Sequence, residues 1–409
     1  MREMKDSGVR WIGKIPTKWT IAKAKNCVEI QNGSDPKTEG SIPVYGSGSM
    51  SFKTCGEYKE GPSVLIGRKG ATLHIPHYIS SKFWNVDTAF NVYSKSIFDL
   101  KYYFYCAHIF DYTLYMSQTT LPSMTQTAYE NMFLPLPTKE EQYAIANQLD
   151  QICSKTDAVL EKTRASIEEY KKLKQAVITQ AVTKGIRGDR PMKDSGIEWI
   201  GDIPKEWDCK KVKYVTSISR GIFNHRPRND ERYYGGEYPF IQTGDVAGAQ
   251  KYIESYSQTL NELGKSVSKC FPKGTLTMTI AANVGDAAIL GFDAFFPDSV
   301  VGFIPNADIN DEYLYYIFKA MKPEFVRTAI KSTQLNLNVE RIRDLFVPVV
   351  VQKSEQLEIA EYLNTKCADI DALIAKKQQY LTEIENYKKS LIYEYVTGKK
   401  EVKTSVLAD

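Results

Sequence analysis

Side chains able to grip a polyanion or read base edges collect in polar, glycine-bearing stretches of this chain. In the first half they are Tyr45, Ser47, Arg68, Lys69, Gln118, Thr119 and Thr120. In the second half they are Arg220, His225, Arg226, Arg228, Gln242, Thr243, Asn283, Ser332, Thr333, Gln334 and Asn336. Arg and Lys bind phosphate or the guanine edge, and Gln and Asn pair with the adenine edge. These are the candidate DNA-binding residues. Polar loops also cover ordinary surfaces, so the elements that position them have to decide.

Signals for catalysis are missing where they would be expected. The sequence holds no G-x-x-x-x-G-K-[ST] phosphate loop. Gly46-Ser47-Gly48 is too short for a dinucleotide fingerprint and reads as a tight turn. There is no Asn-Pro-Pro-aromatic motif of the amino-methyltransferase kind and no nuclease cluster of acidic and Lys residues. Asp87 and Asp298 stand alone and read as turn or hydrogen-bonding residues. His74 and His77 are the only closely spaced pair among four histidines, with no Cys beside them, so a loop or packing role is expected and no metal. The seven cysteines (Cys27, Cys55, Cys106, Cys153, Cys209, Cys270 and Cys367) contain no C-x-x-C pair and are expected as reduced, buried thiols.

Composition sets outer bounds. With 409 residues, 43% hydrophobic and 25% charged, the chain has room for two to four folded domains. Its formal charge of +4 permits a nucleic-acid partner without demanding one. No apolar run approaches the roughly 18 residues of a membrane span, and the polar start lacks a signal-peptide core, so a cytoplasmic location is expected.

An internal repeat decides the architecture. Met4-Lys5-Asp6-Ser7-Gly8-Val9-Arg10-Trp11-Ile12-Gly13 runs on to Ile15-Pro16 and Trp19, and Met192-Lys193-Asp194-Ser195-Gly196-Ile197-Glu198-Trp199-Ile200-Gly201 runs on to Ile203-Pro204 and Trp207. The offset is 192 − 4 = 188, with no gap. A second repeated block closes each half. Pro135-Leu136-Pro137-Thr138 leads to Glu141-Gln142, Ile145-Ala146 and Leu149, while Pro348-Val349-Val350-Val351 leads to Glu355-Gln356, Ile359-Ala360 and Leu363. Here the offset is 355 − 141 = 214, so the second half carries 214 − 188 = 26 additional residues.

Each closing block begins a long helix, expected from about 139 to 184 and from 353 to 396. The apolar residues recur in steps of three and four: Ile145, Leu149, Ile152, Val159 or Leu160, Ile167, Tyr170, Val177 and Ala181, then Ile359, Leu363, Cys367, Ile370, Ile374, Leu381, Ile384 and Leu391. A lone helix with one apolar stripe is unstable in water, so an antiparallel pair is the simplest arrangement. Thr138 and Glu141 form a capping box at the first start, where the second has Gln352. Between the repeats, residues 20 to 134 and 208 to 347 read as mixed α/β. Ser63–Gly67 and Thr275–Ile280 are strands feeding Gly turns, and Asp87 and Asp298 occupy equivalent places before a further strand.

The paired Trp-Ile-Gly…Ile-Pro…Trp openings, the Pro-rich exits with Glu-Gln…Ile-Ala…Leu, and the Ser332-Thr333-Gln334…Asn336 stretch resemble the specificity subunits of type I restriction-modification systems over essentially the whole chain. Thr119-Thr120-Leu121-Pro122 stands where the second half has Thr333-Gln334-Leu335-Asn336, so loop contacts are not carried from one half to the other. The resemblance implies two α/β (α+β) target-recognition domains joined by two long antiparallel α-helices in a coiled coil, with a pseudo-twofold internal repeat. Its expected boundaries are recognition domains at 1–136 and 188–350, spacer helices at 137–187 and 351–400, and a flexible tail at 401–409. Each domain would read one half of a bipartite, asymmetric double-stranded DNA site, with the helices setting the gap. It further implies two methyltransferase subunits and endonuclease/translocase subunits as partners, which would hold S-adenosylmethionine and ATP. This chain would bind no cofactor and catalyse nothing alone. The alternatives are a fused DNA methyltransferase/nuclease that reads and modifies in one chain, and a coiled-coil scaffold without DNA.

Overall fold

The computed structural model describes residues 2–96, 98–117, 122–331 and 335–402, with 330, 331, 335 and 336 described as backbone alone. The flexible tail expected at 401–409 falls outside the described residues from 403 onward. Contacts divide the chain into two units: residues 1–165 with 378–409, and residues 166–377.

In the first unit the opening block forms a hairpin, Met4–Asp6 against Lys14–Pro16, which carries Trp19 into the core at 2% exposure. Its main sheet is antiparallel, in the order Val28–Asn32, Ala89–Ser94, Ser63–Gly67, His77–Ile79. Ser63–Gly67 is buried at every position, as expected of a central strand covered on both faces. A smaller sheet pairs Ile42–Tyr45 with Ser51–Cys55 and, in parallel, with Trp84–Asn85. Thr20–Lys23 pairs with Phe133–Leu136, bringing the two ends of the recognition region together.

The second unit repeats this frame. Its main sheet runs Thr216–Arg220, Val300–Pro305, Leu276–Thr279, Ala287–Leu290 and the added strand Tyr252–Ile253. Asp208–Lys211 pairs with Phe346–Val349 as Thr20–Lys23 does with Phe133–Leu136. Strand registers locate the additional residues: the offset is 216 − 28 = 188 at the first strand of each main sheet, but 278 − 66 = 212 at the third. Most of the insertion therefore lies between Arg220 and Leu276, where helices Thr243–Gly248 and Glu262–Ser266 occur.

The long helices span Lys139–Lys184 and Lys353–Val396, the ranges expected from their apolar spacing. In the first unit the start of one meets the end of the other: Ile145, Leu149 and Cys153 share a core with Leu391, Ile392 and Val396. Lys388–Asp157 and Arg164–Glu385, each at 2.6 Å, fix the antiparallel sense. In the second unit Ile178, Ala181 and Val182 share a core with Ile359, Leu363 and Cys367, and Lys174 pairs with Asp371 at 2.6 Å. Of the two candidates at the register shift, Leu160 is 4% exposed and Val159 40%, so Leu160 carries the stripe. Thr138 and Glu141 make the reciprocal capping contacts, at 3.2 and 3.3 Å.

The repeated Glu-Gln pair is explained by these packings. Gln142 and Gln356 are fully buried. Gln142 accepts from the backbone N–H of Asp99 at 2.7 Å, and Gln356 from that of Asn310 at 2.8 Å, so each clasps the residue that caps the following domain helix. Five of the seven cysteines are buried, but Cys209 is half-buried and Cys270 exposed: on the strand Cys270–Phe271 neighbouring side chains alternate, and Phe271 takes the buried side.

Candidate nucleic-acid interface

Each unit places cations around the residue two positions before the second strand of its main sheet. Asp87 precedes Ala89–Ser94 and Asp298 precedes Val300–Pro305, equivalent positions since 298 − 87 = 300 − 89 = 211. Both backbone carbonyls accept an arginine. Arg68 Nη1 donates to the Asp87 carbonyl at 3.4 Å, and Arg220 Nε donates to the Asp298 carbonyl. The arginines come from different strands: Arg68 follows the third strand of its sheet, and Arg220 ends the first strand of the other.

In the first unit Arg68, Lys69 and Gly70 form a half-buried turn. The N–H groups of Arg68 and Lys69 both donate to Thr88 O, at 2.7 and 3.3 Å. Gly70 has φ +110, a left-handed value that glycine adopts without strain, and a side chain there would meet Ser47 Oγ at 3.2 Å. Ser47 Oγ lies 3.3 Å from Thr72 Oγ1, and the Tyr45 ring packs 5.5 Å from His77. Tyr45, Ser47, Arg68 and Lys69 therefore share one surface. Burial lowers the His77 pKa beside Tyr45.

The second unit is richer in charge. The Asp298 carboxylate takes an ion pair from Arg228 and another from Arg226 at 3.6 Å, so three candidate arginines converge on one residue. Arg226 also donates to the carbonyls of Phe223 and His225, each at 2.8 Å. His225 is committed internally: its ring stacks 3.9 Å from Tyr233 and its Nε2 lies 2.9 Å from Asp230. The Arg232 guanidinium holds the Asp230 carboxyl well below the usual carboxylate range. Lys269 Nζ donates to Ser219 Oγ at 2.6 Å, beside Arg220 in sequence. The cations Arg220, Arg226, Arg228, Arg232 and Lys269 thus gather around the carboxylates Asp230 and Asp298.

The other candidates make contacts of their own. Gln242 precedes helix Thr243–Gly248, its N–H donating to Asp245 at 2.7 Å and its side chain to Gln258 at 2.8 Å. Thr243 begins that helix. Asn283 is exposed, and its carbonyl closes the turn by accepting from the Asp286 N–H at 3.2 Å. Gln118, Thr119, Thr120, Ser332, Thr333 and Gln334 lie outside the described residues, and Asn336 is described only as backbone of the strand Leu335–Asn336.

Sequence reasoning missed Asp298 as the residue that organises the arginines, Lys269 beside them, and Lys59 in the first unit. Lys59 Nζ donates to Asn85 at 2.8 Å and Asn91 at 2.6 Å, tying two fully buried amides together. The available signal was an asparagine in each of two otherwise apolar strands, which demands a buried donor.

Fold and surface together define a duplicated α/β protein with one cation-bearing loop surface in each unit. The chain belongs to the family of the type I restriction modification DNA specificity domain, whose model matches residues 16–169 and 204–386. Among curated relatives, the type I restriction enzyme MjaIX specificity subunit of Methanocaldococcus jannaschii is 30% identical over 44% of this chain and 41% of its own length. The MjaVIII specificity subunit of the same organism is 26% identical over 70% of this chain and 66% of its own. The chain thus spans less than two thirds of either relative. A solved chain described for complex assembly and conformational transition of the type I R-M system has a TM-score of 0.72 at 13% identity, covering 94% of this chain and 99% of that one, a likeness of fold. No helix among the described residues is long and apolar enough to cross a membrane.

Proposed function

We propose that this chain is the sequence-reading subunit of a type I restriction-modification complex, each recognition domain reading one half of a bipartite DNA site and the long helices setting the gap. The observation that carries the reading is the convergence of Arg220, Arg226 and Arg228 on Asp298 in one unit, matched by Arg68 at the equivalent Asp87 in the other. A shared frame bearing different donors suits two readers of different sequence, because phosphate contacts position a protein on DNA while base contacts specify. The expected boundaries at 1–136, 137–187, 188–350 and 351–400 belong to this proposal, as do the individual contact residues.

Family membership supports work on DNA beside other subunits of a restriction-modification complex, and we assign these partners as two methyltransferase subunits and endonuclease/translocase subunits. S-adenosylmethionine and ATP then serve those subunits, this chain is not itself an enzyme, and the complex works in the cytoplasm. Methylated-base sequencing of a host carrying the whole operon, with and without this gene, tests the reading. The expected result is a bipartite motif, two half-sites around a fixed gap, that is methylated only when the chain is present. A motif independent of the chain, or one without a gap, would overturn it.

A further inference from the structure

We propose that Phe52 reads a thymine methyl group in one half-site, through the major groove. This rests on the DNA-reading function above and assigns a specificity-determining residue to the first unit.

The strands Ile42–Tyr45 and Ser51–Cys55 form a hairpin within a three-stranded sheet, with Ser51–Cys55 at its edge and Trp84–Asn85 on the other side of Ile42–Tyr45. Their inner residues Val44 and Cys55 are fully buried, so the hairpin is anchored. Its outer end is apolar and wet: Met50 is 81% exposed and Phe52 61%. The register explains Phe52. Val44 pairs with Lys53 and Tyr45 with Ser51, which leaves Phe52 as the unpaired residue of a bulge. Bulges bend a strand and re-aim a side chain, and they recur beside functional sites.

The ring does not stand alone. Lys53 Nζ lies 5.6 Å from its centroid, and a side chain at Gly46 would meet Phe52 Cε1 at 3.8 Å and Thr88 Oγ1 at 3.0 Å. Thr88 is the acceptor for the Arg68 and Lys69 N–H groups, and Ser47 touches the same turn. The aromatic ring is therefore bordered by the Lys53 ammonium, a charge that complements a phosphate backbone, and Gly46 and Thr88 link its surroundings to the backbone of the Arg68–Lys69 turn. An edge hairpin presents a narrow β surface of the kind that enters the major groove, and of the unmodified base edges there only thymine presents a methyl group to an apolar side chain.

The test uses the full chain assembled with the modification subunits of its own system. Binding is measured to duplexes in which each thymine of the bipartite site is replaced singly by deoxyuridine, which lacks only the methyl. For the wild type, one position in one half-site should weaken binding about three- to fourfold, the equivalent of the ~0.8 kcal/mol of one buried CH₂. Phe52→Ala should show that loss on thymine DNA and no further loss with deoxyuridine, while Phe52→Met keeps the wild-type response. The inference is overturned if Phe52→Ala binds thymine DNA as tightly as wild type, if it keeps the deoxyuridine sensitivity, or if no deoxyuridine position weakens wild-type binding in either half-site. A wild-type complex that binds its motif no better than scrambled duplex would refute DNA reading itself.

Discussion

Arg190 Nη1 lies 2.6 Å from Oε1 of Glu355, an ion pair with side chains only 12% and 4% exposed. Its counterpart in the first unit joins Arg2 to Glu141 at 2.9 Å, at 32% and 31% exposure. The offsets, 190 − 2 = 188 and 355 − 141 = 214, are those of the opening and closing repeats. Both pairs pin an opening segment to the start of a long helix, and in the first unit the Trp19 indole N–H also donates to Glu141, at 3.1 Å. Arg190 also pairs with the more exposed Glu206 at 3.3 Å, so Glu355→Ala should destabilise the second unit by somewhat less than the about 3–5 kcal/mol of a fully orphaned buried charge. Glu141→Ala, at a wetter site, should lose the capping contact and the Trp19 bond together, about 1–2 kcal/mol, with the exposed Arg2 pair adding little. Calorimetric unfolding of the two variants checks the order, and equal losses would contradict it.

Asp298 neutralises one of the two arginines it pairs with, and Asp298→Asn should release that charge. Each added phosphate contact steepens the fall of log K with log[salt] by about 0.9. The variant should therefore bind non-specific duplex more tightly, with a salt slope steeper by about one contact, and discriminate less well between motif and scrambled DNA. An unchanged slope would mean that the arginines stay engaged with protein on DNA.

The architecture was legible because it is written in repeated apolar and Pro-Trp positions whose spacing survives divergence. The helix bounds followed from one apolar stripe that begins at each Pro-rich exit. Arg2 and Arg190 stand at the repeat offset too, yet the repeat read from Met4 and Met192 passed over them. The site was less legible. Arg228 and Asp298 lie 70 residues apart, and only the strand order brings them together. Phe52 reads as an ordinary strand apolar until the bulge shows which way it faces.

The turn Arg68–Lys69 should matter in one of two separable ways. Neutralising both residues to Ala flattens the salt slope if they touch phosphate, and relaxes one base position if they grip guanine. Titrations across salt concentrations, with a motif-variant panel, distinguish the two. No change in slope, affinity or specificity would remove this turn from the interface.

Burial pushes the Lys59 ammonium down to about 8. In the unfolded chain it titrates near ~10.4, so below about pH 8 both states hold the proton and the folded state bears the desolvation cost. Between about 8 and 10.4 the unfolded state binds more protons, so the Lys59 contribution to stability rises with pH. Relative to Lys59→Met, wild-type stability should climb across that window and level off above it. A flat difference would mean the ammonium titrates normally.

The most direct test of the account is an exchange of residues 208–347 for the matching region of a relative with a different motif, read by methylated-base sequencing of the host. Independent reading by two domains predicts that one half-site changes to the donor's while the other half-site is unchanged. If both half-sites change, or neither does in an active complex, the two units do not read DNA separately and the account is wrong.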